Sequence, residues 1–161
     1  MSIEPTDIKI YLTGGLNNTN PNLSLGGIAS NTEASSSTDG LFDSVLSAQA
    51  ESGSVEYRAI SIKNTSSELS PNVIVYISRE TTGLSDTIAI GYENGTQSIA
   101  NEVTAPSGVS FSTPLTKATG ISLGSMASNT SKRLWLRWTV NAGSLKMNPT
   151  QGRLTISVDT I

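Results

Sequence analysis

The sequence predicts an all-β fold, one β-sandwich of jelly-roll or immunoglobulin-like type with six to eight or more short strands. Three observations predict it. Aliphatic residues recur every second position in runs of five to ten, the runs are separated by Ser, Thr, Asn, Gly and Pro clusters, and helical periodicity is nearly absent. At 161 residues the chain suits a single core. Disorder is excluded as a class because the net charge is only -3 and Val, Ile and Tyr cluster repeatedly.

Taken in order, residues 1–7 read as an N-terminal arm and 8–161 as the sandwich domain. Ile8, Ile10 and Leu12 alternate with Lys9, Tyr11 and Thr13 as a strand with one buried face, ended by Gly14-Gly15. A long polar loop occupies 16–40, broken at Asn20-Pro21 and Gly26-Gly27. Leu41-Phe42 and Val45-Leu46 form an apolar island that spacing alone assigns neither to helix nor to strand.

Val55–Lys63 is a strand with Arg58, Ile60 and Ile62 on one face and Tyr57, Ala59 and Ser61 on the other. Asn72–Ser78 is apolar on both faces, as a central strand would be, and Pro71 stands at its start, where a missing N–H is tolerated. Thr87–Tyr92 supplies another strand, and Asn94-Gly95 suits a type I′ hairpin turn. Val109–Ser112, Ile121–Leu123 and Lys132–Val140 follow. In the last of these Leu134, Leu136, Trp138 and Val140 share one face, while Arg133, Trp135 and Arg137 share the other. Arg153–Val158 closes the chain with Leu154, Ile156 and Val158 inward.

Composition narrows the functional classes. A pI near 4.9 without a Lys/Arg run argues against nucleic acid or anionic lipid as a partner. Residues 1–7 lack the basic start and apolar centre of a secretory signal, and no run approaches the roughly 20 apolar residues of a membrane helix, so a soluble chain is expected. With Cys 0 and His 0, thiolate sites are excluded and a transition-metal cofactor is not expected. Gly120-Ile121-Ser122-Leu123-Gly124 matches the serine-hydrolase string, but that elbow requires a strand-to-helix turn and a His partner. The acid pairs Asp39 with Asp43 and Glu51 with Glu56 lie in loop-like surroundings and read as a solvated acidic surface. The expectation is a protein without catalytic residues or cofactor.

Several phrases together resemble a family of small tailed-bacteriophage virion structural proteins. They are Ile10–Gly15, Asn20-Pro21, Ser24–Gly27, Glu56–Arg58, Ile62–Thr65, Ile99–Glu102, Ala105–Phe111 and Arg137–Gly143, and they run in order along nearly the whole chain. The resemblance implies a virion component assembled in the host cytoplasm. It further implies a decoration or cement protein on the major capsid protein, often a trimer at local symmetry points; an accessory module of tail, neck or baseplate that touches a host surface is the alternative.

An interface is therefore the site to expect. Ile3 and Pro5 in the arm suit strand addition to a neighbour, and Leu23 and Leu25 stand in a permissive loop that could order on docking. Trp135 between Arg133 and Arg137 suggests an outward Arg–Trp–Arg ladder of the kind enriched at binding hot spots, against the alternative that a second layer covers Trp135.

Overall fold

A computed structural model describes residues 5–34, 40–79, 86–144 and 153–158. Among these residues eight strands form two antiparallel sheets: β1 (Ile8–Thr13), β2 (Ala29–Glu33), β3 (Ser54–Asn64), β4 (Ser70–Arg79), β5 (Asp86–Glu93), β6 (Ile121–Met126), β7 (Ser131–Val140) and β8 (Arg153–Val158). The larger sheet has the order β2-β1-β3-β7-β5 and the smaller β6-β4-β8, so the fold is a β-sandwich. Among the described residues no helix is long and apolar enough to cross a membrane.

The alternating rows decide how the sheets face each other. On β3 and β7 the pairs Ile60↔Leu134 and Arg58↔Leu136 put Ile60, Ile62, Leu134 and Leu136 on the inner face. They meet Val73, Val75 and Ile77 of β4 and Leu123 and Met126 of β6, while Ile8 and Ile90 join from β1 and β5. Leu154, Ile156 and Val158 of β8 face the same core but are only half-buried. Burial of these branched side chains on two pleated surfaces is the main stabilising contribution.

Several local expectations are corrected. The long loop contains β2, whose sequence Ala-Ser-Asn-Thr-Glu has no apolar alternation and is recruited by pairing with β1 at Tyr11↔Glu33 and Thr13↔Ala29. The apolar island precedes a helix, α1 (Ser47–Ser52), in which the Gln49 side chain accepts from the Leu46 amide at 2.8 Å. No hairpin closes at Asn94-Gly95. The chain leaves β5 for a long connection, and neither residue has the positive φ that a type I′ turn requires. Val109–Ser112 is not a strand of either sheet, although Ser112 exchanges two backbone bonds with Ile90 along the edge of β5.

Candidate functional site

The outer face of the larger sheet is not solvated. At its centre Trp135 stands between Ala59 on β3 and Gly91 on β5, two small register partners that leave room for the indole to lie across the sheet. Two chain segments close over it. Gly26 bridges Ser98, the Gly27 amide donates to the Gln97 carbonyl at 2.9 Å, and the Ile99 amide donates to the Leu25 carbonyl at 2.9 Å. Beneath this miniature ladder Trp135 is 0% exposed, and its Nε1–H donates to Glu93 Oε2 at 2.6 Å.

The same segments are fastened to the sheet. β1 pairs only with the C-terminal half of β3, and along the N-terminal half the carbonyls of Ser24 and Glu102 take its place, accepting at 2.7 Å from the amides of Ala59 and Tyr57 respectively. Thr13 Oγ1 donates to the Ala59 carbonyl at 3.0 Å and accepts from the Gly26 amide at 3.1 Å. Arg133 donates to the carbonyls of Gly27 and Gln97. Burial lowers its pKa from the ordinary guanidinium value, and the Glu93 carboxylate works in the opposite direction.

Short polar side chains then stiffen the outer turn. Asn18 Nδ2 donates to the Thr13 carbonyl at 2.6 Å, the amides of Asn20 and Asn22 donate to Asn18 and Asn20 side chains, and Ser30 Oγ donates to the Asn18 carbonyl at 2.6 Å. On this fixed turn Leu16 and Leu23 are each 56% exposed and Ile28 is 63% exposed. A shallow depression of about 490 Å³ lies between Gly14 and Leu23, floored by the Asn-rich turn.

The expected interface residues therefore separate. Leu23 is exposed on the turn, whereas Leu25 is half-buried in the ladder. The outward Arg–Trp–Arg ladder does not form, because Trp135 and Arg133 are both covered by the 14–28 and 94–102 segments and Arg137 stacks instead on Phe111, its guanidinium carbon 5.1 Å from the ring centroid. Ile3 lies outside the described residues. Pro5 opens a single 3-10 turn, Pro5–Asp7, whose last carbonyl accepts from both the amide and the hydroxyl of Thr65 at 2.8 and 2.9 Å, so the arm is tied down at its base. The loop through Ala34 is already ordered, held by backbone and Asn/Ser bonds; Asp39 lies outside the described residues.

A second polar constellation occupies one end of the core. Glu56 and Arg58 extend from the inner face of β3, Gln49 Nε2 donates to Glu56 Oε1 at 2.8 Å, and Arg58 Nη2 pairs with Glu102 Oε2 at 2.6 Å. Arg58 also lies over Phe42, 5.5 Å from its centroid, and Phe42 packs at a tilt on Trp138. Glu56 is 5% exposed, and its carboxyl is held above the ordinary range, first by burial and then by the Glu102 charge, against the lowering effect of Arg58 and the Gln49 bond. The Glu51 partner weighed for hydrolysis sits exposed on α1, while Asp43 accepts from Asn22 Nδ2 at 3.1 Å. Ser122 lies within β6, not on an elbow, and donates to Asn72 Oδ1 at 3.1 Å.

Sequence reasoning left Trp135 open between an outward ladder and a covered position, and Ala59, Gly91 and Gly26 carried the signal for the covered one: three small residues are what a buried indole on a flat sheet needs. Comparison of the chain with protein-family models, with curated proteins and with solved structures finds no match.

Proposed function

We propose that this protein is a non-enzymatic structural component of a tailed-bacteriophage virion, a decoration or cement protein that docks on the major capsid shell. The observation that carries the reading is the presentation of Leu16, Leu23 and Ile28. Three large apolar side chains stand in solvent on a turn that is held from below by side-chain and backbone hydrogen bonds. Such a turn loses little conformational freedom when it docks, so the apolar contact is not offset by ordering. Ser, Thr and Asn around it satisfy their own bonding locally and meet a partner with little desolvation cost. The phrase-by-phrase resemblance to virion structural proteins supports the same reading.

Docking is tested with purified shells. Replacing Leu23 and Ile28 together by Asp removes the apolar surface without touching the Trp135 layer. The variant is expected to keep the wild-type melting temperature and to lose co-sedimentation with shells. Undiminished co-sedimentation rejects this surface.

A further inference from the structure

Asn94-Gly95 closes no hairpin, and it is the one Asn-Gly step of the sequence. Asn94, Gly95 and Thr96 are exposed in succession where the chain leaves β5, outside the ladder of either sheet. Other asparagines are placed differently. Asn18 and Asn64 donate through Nδ2 to the carbonyls of Thr13 and Met126, and Asn20 is followed by Pro21, which has no amide proton. Asn22, Asn72 and Asn101 each precede a residue whose Cβ crowds the next amide.

The Asn-Gly step lies against the tether of the Trp135 cover. Glu93, directly before it, accepts from Trp135 Nε1 at 2.6 Å and from the Gln97 amide at 2.9 Å, so its carboxylate spans the bend at 94–96. A Cβ on Gly95 would stand 2.8 Å from Glu93 Oε1, which puts that carboxylate beside the step. Gln97 is the hub just beyond. Its carbonyl accepts from the Gly27 amide at 2.9 Å and from Arg133, and its side chain exchanges two bonds with the Ser107 backbone, both at 2.9 Å.

We propose that Asn94 is a self-modifying site, at which the folded protein slowly converts asparagine to aspartate or isoaspartate and so loosens the cover of Trp135. The Gly95 amide nitrogen attacks Cγ of Asn94. The N–Cγ bond forms, the Cγ–Nδ2 bond breaks, and Nδ2 leaves as ammonia with the proton that the amide gave up. One water then opens the cyclic imide: its hydroxyl goes to one of the two ring carbonyls, whose bond to nitrogen breaks, and its proton returns to the nitrogen. Opening at Cγ gives aspartate, and opening at the main-chain carbonyl gives isoaspartate. Gly95 permits the ring because it has no Cβ beside the attacking nitrogen, and an exposed bend outside the ladders leaves the backbone free to close it. Either product places a second carboxylate beside Glu93, and isoaspartate also adds a methylene to the main chain between Glu93 and Gln97. Like charge and altered spacing both act on the bond that holds Gln97 over the sheet. The inference does not depend on the docking reading.

Ageing the full chain in mildly alkaline buffer, which favours loss of the amide proton, tests it. Ageing continues until denatured wild type has converted, a reference for the reaction itself. The folded wild type is expected to accumulate a form more acidic by one charge in isoelectric focusing, with aspartate and isoaspartate at residue 94 in peptide maps. Asn94→Gln, which would have to close a larger ring, is expected to lose that form and to keep the wild-type melting temperature. In aged wild type, amide exchange at Gln97 and Gly27 is expected to rise about tenfold, the scale of one lost hydrogen bond, and in aged Asn94→Gln to stay unchanged. A folded wild type whose residue 94 stays asparagine overturns the proposal, as does an Asn94→Gln variant that gains the same acidic form. Conversion that leaves exchange at Gln97 and Gly27 as it was overturns it equally.

Discussion

The indole of Trp135 lies directly beneath Gly26, where an added Cβ would stand 3.0 Å from Cζ2 and closer still to the backbone of Gln97. Gly26 also has φ +93, a backbone conformation that side chains rarely adopt. The bulkiest residue of β7 and the barest residue of the covering segment are thus complementary, and the outer layer depends on both. Trp135→Ala empties this space and is expected to cost about 3–5 kcal/mol of unfolding free energy in chemical denaturation. The proposed docking surface lies on the covering segment rather than on Trp135 itself, so the substitution acts on it only through that segment. A Trp135→Ala protein of unchanged stability that fails to bind shells would return the residue to an interface.

Glu93 serves two donors at once, Trp135 Nε1 and the Gln97 amide at 2.9 Å. Glu93→Ala leaves both without their acceptor under the covering segment and is expected to destabilise by about 1–3 kcal/mol, with amide exchange rising first around Gln97 and Gly27. Uniform exchange across both sheets instead would mean that the layer does not open separately.

Much of this architecture was legible in the sequence. Period-two rows in Val55–Lys63, Lys132–Val140 and Arg153–Val158 mark strands because each must bury one side of a pleat, and Asn72–Ser78, apolar on both faces, marks the strand that lies at the centre of the smaller sheet. What was not legible has a common cause. β2 and the turn before it are held by Asn, Ser and Thr bonds to carbonyls distant in sequence, such as Ser30 to Asn18 and Thr13 to Ala59, and such bonds impose no hydrophobic period. Trp135 stayed undecided for a related reason: alternation places it on the outer face, but what covers that face comes from residues 14–28 and 94–102, which carry no strand pattern. Of the expected interface residues, Leu23 alone combines description, exposure and a rigid base, and its neighbours Leu16 and Ile28 became visible only when the turn brought them to the same outer layer.

The docking prediction is quantitative as well as directional. Leu23→Ala with Ile28→Ala removes most of the exposed apolar contact without introducing charge, and is expected to weaken shell binding by tenfold or more, about 1.4 kcal/mol. Stability should hardly change, because both side chains stand mostly in solvent. Deleting residues 1–7 makes a contrasting case, since Asp7 is bonded to Thr65 and the turn there closes the end of β1 against β3. That truncation is expected to lower the melting temperature, and a truncated chain with unaltered melting but lost binding would assign docking to the arm instead.

The buried acid at the end of the core sets the pH dependence. Burial and the Glu102 charge raise the Glu56 pKa in the folded protein above the unfolded value of about 4.3, so in the window above that value the folded state binds more protons than the unfolded one. Stability therefore falls as pH rises from the unfolded pKa through the folded one. Glu56→Gln keeps an oxygen for Gln49 and removes the buried charge, while Arg58 retains Glu102 at 2.6 Å. The variant should match the wild type near pH 4 and exceed it in melting temperature at pH 7, the difference growing across the interval. Should Glu56→Gln be the less stable protein at pH 7, attraction to Arg58 outweighs burial and the order of the two effects is reversed.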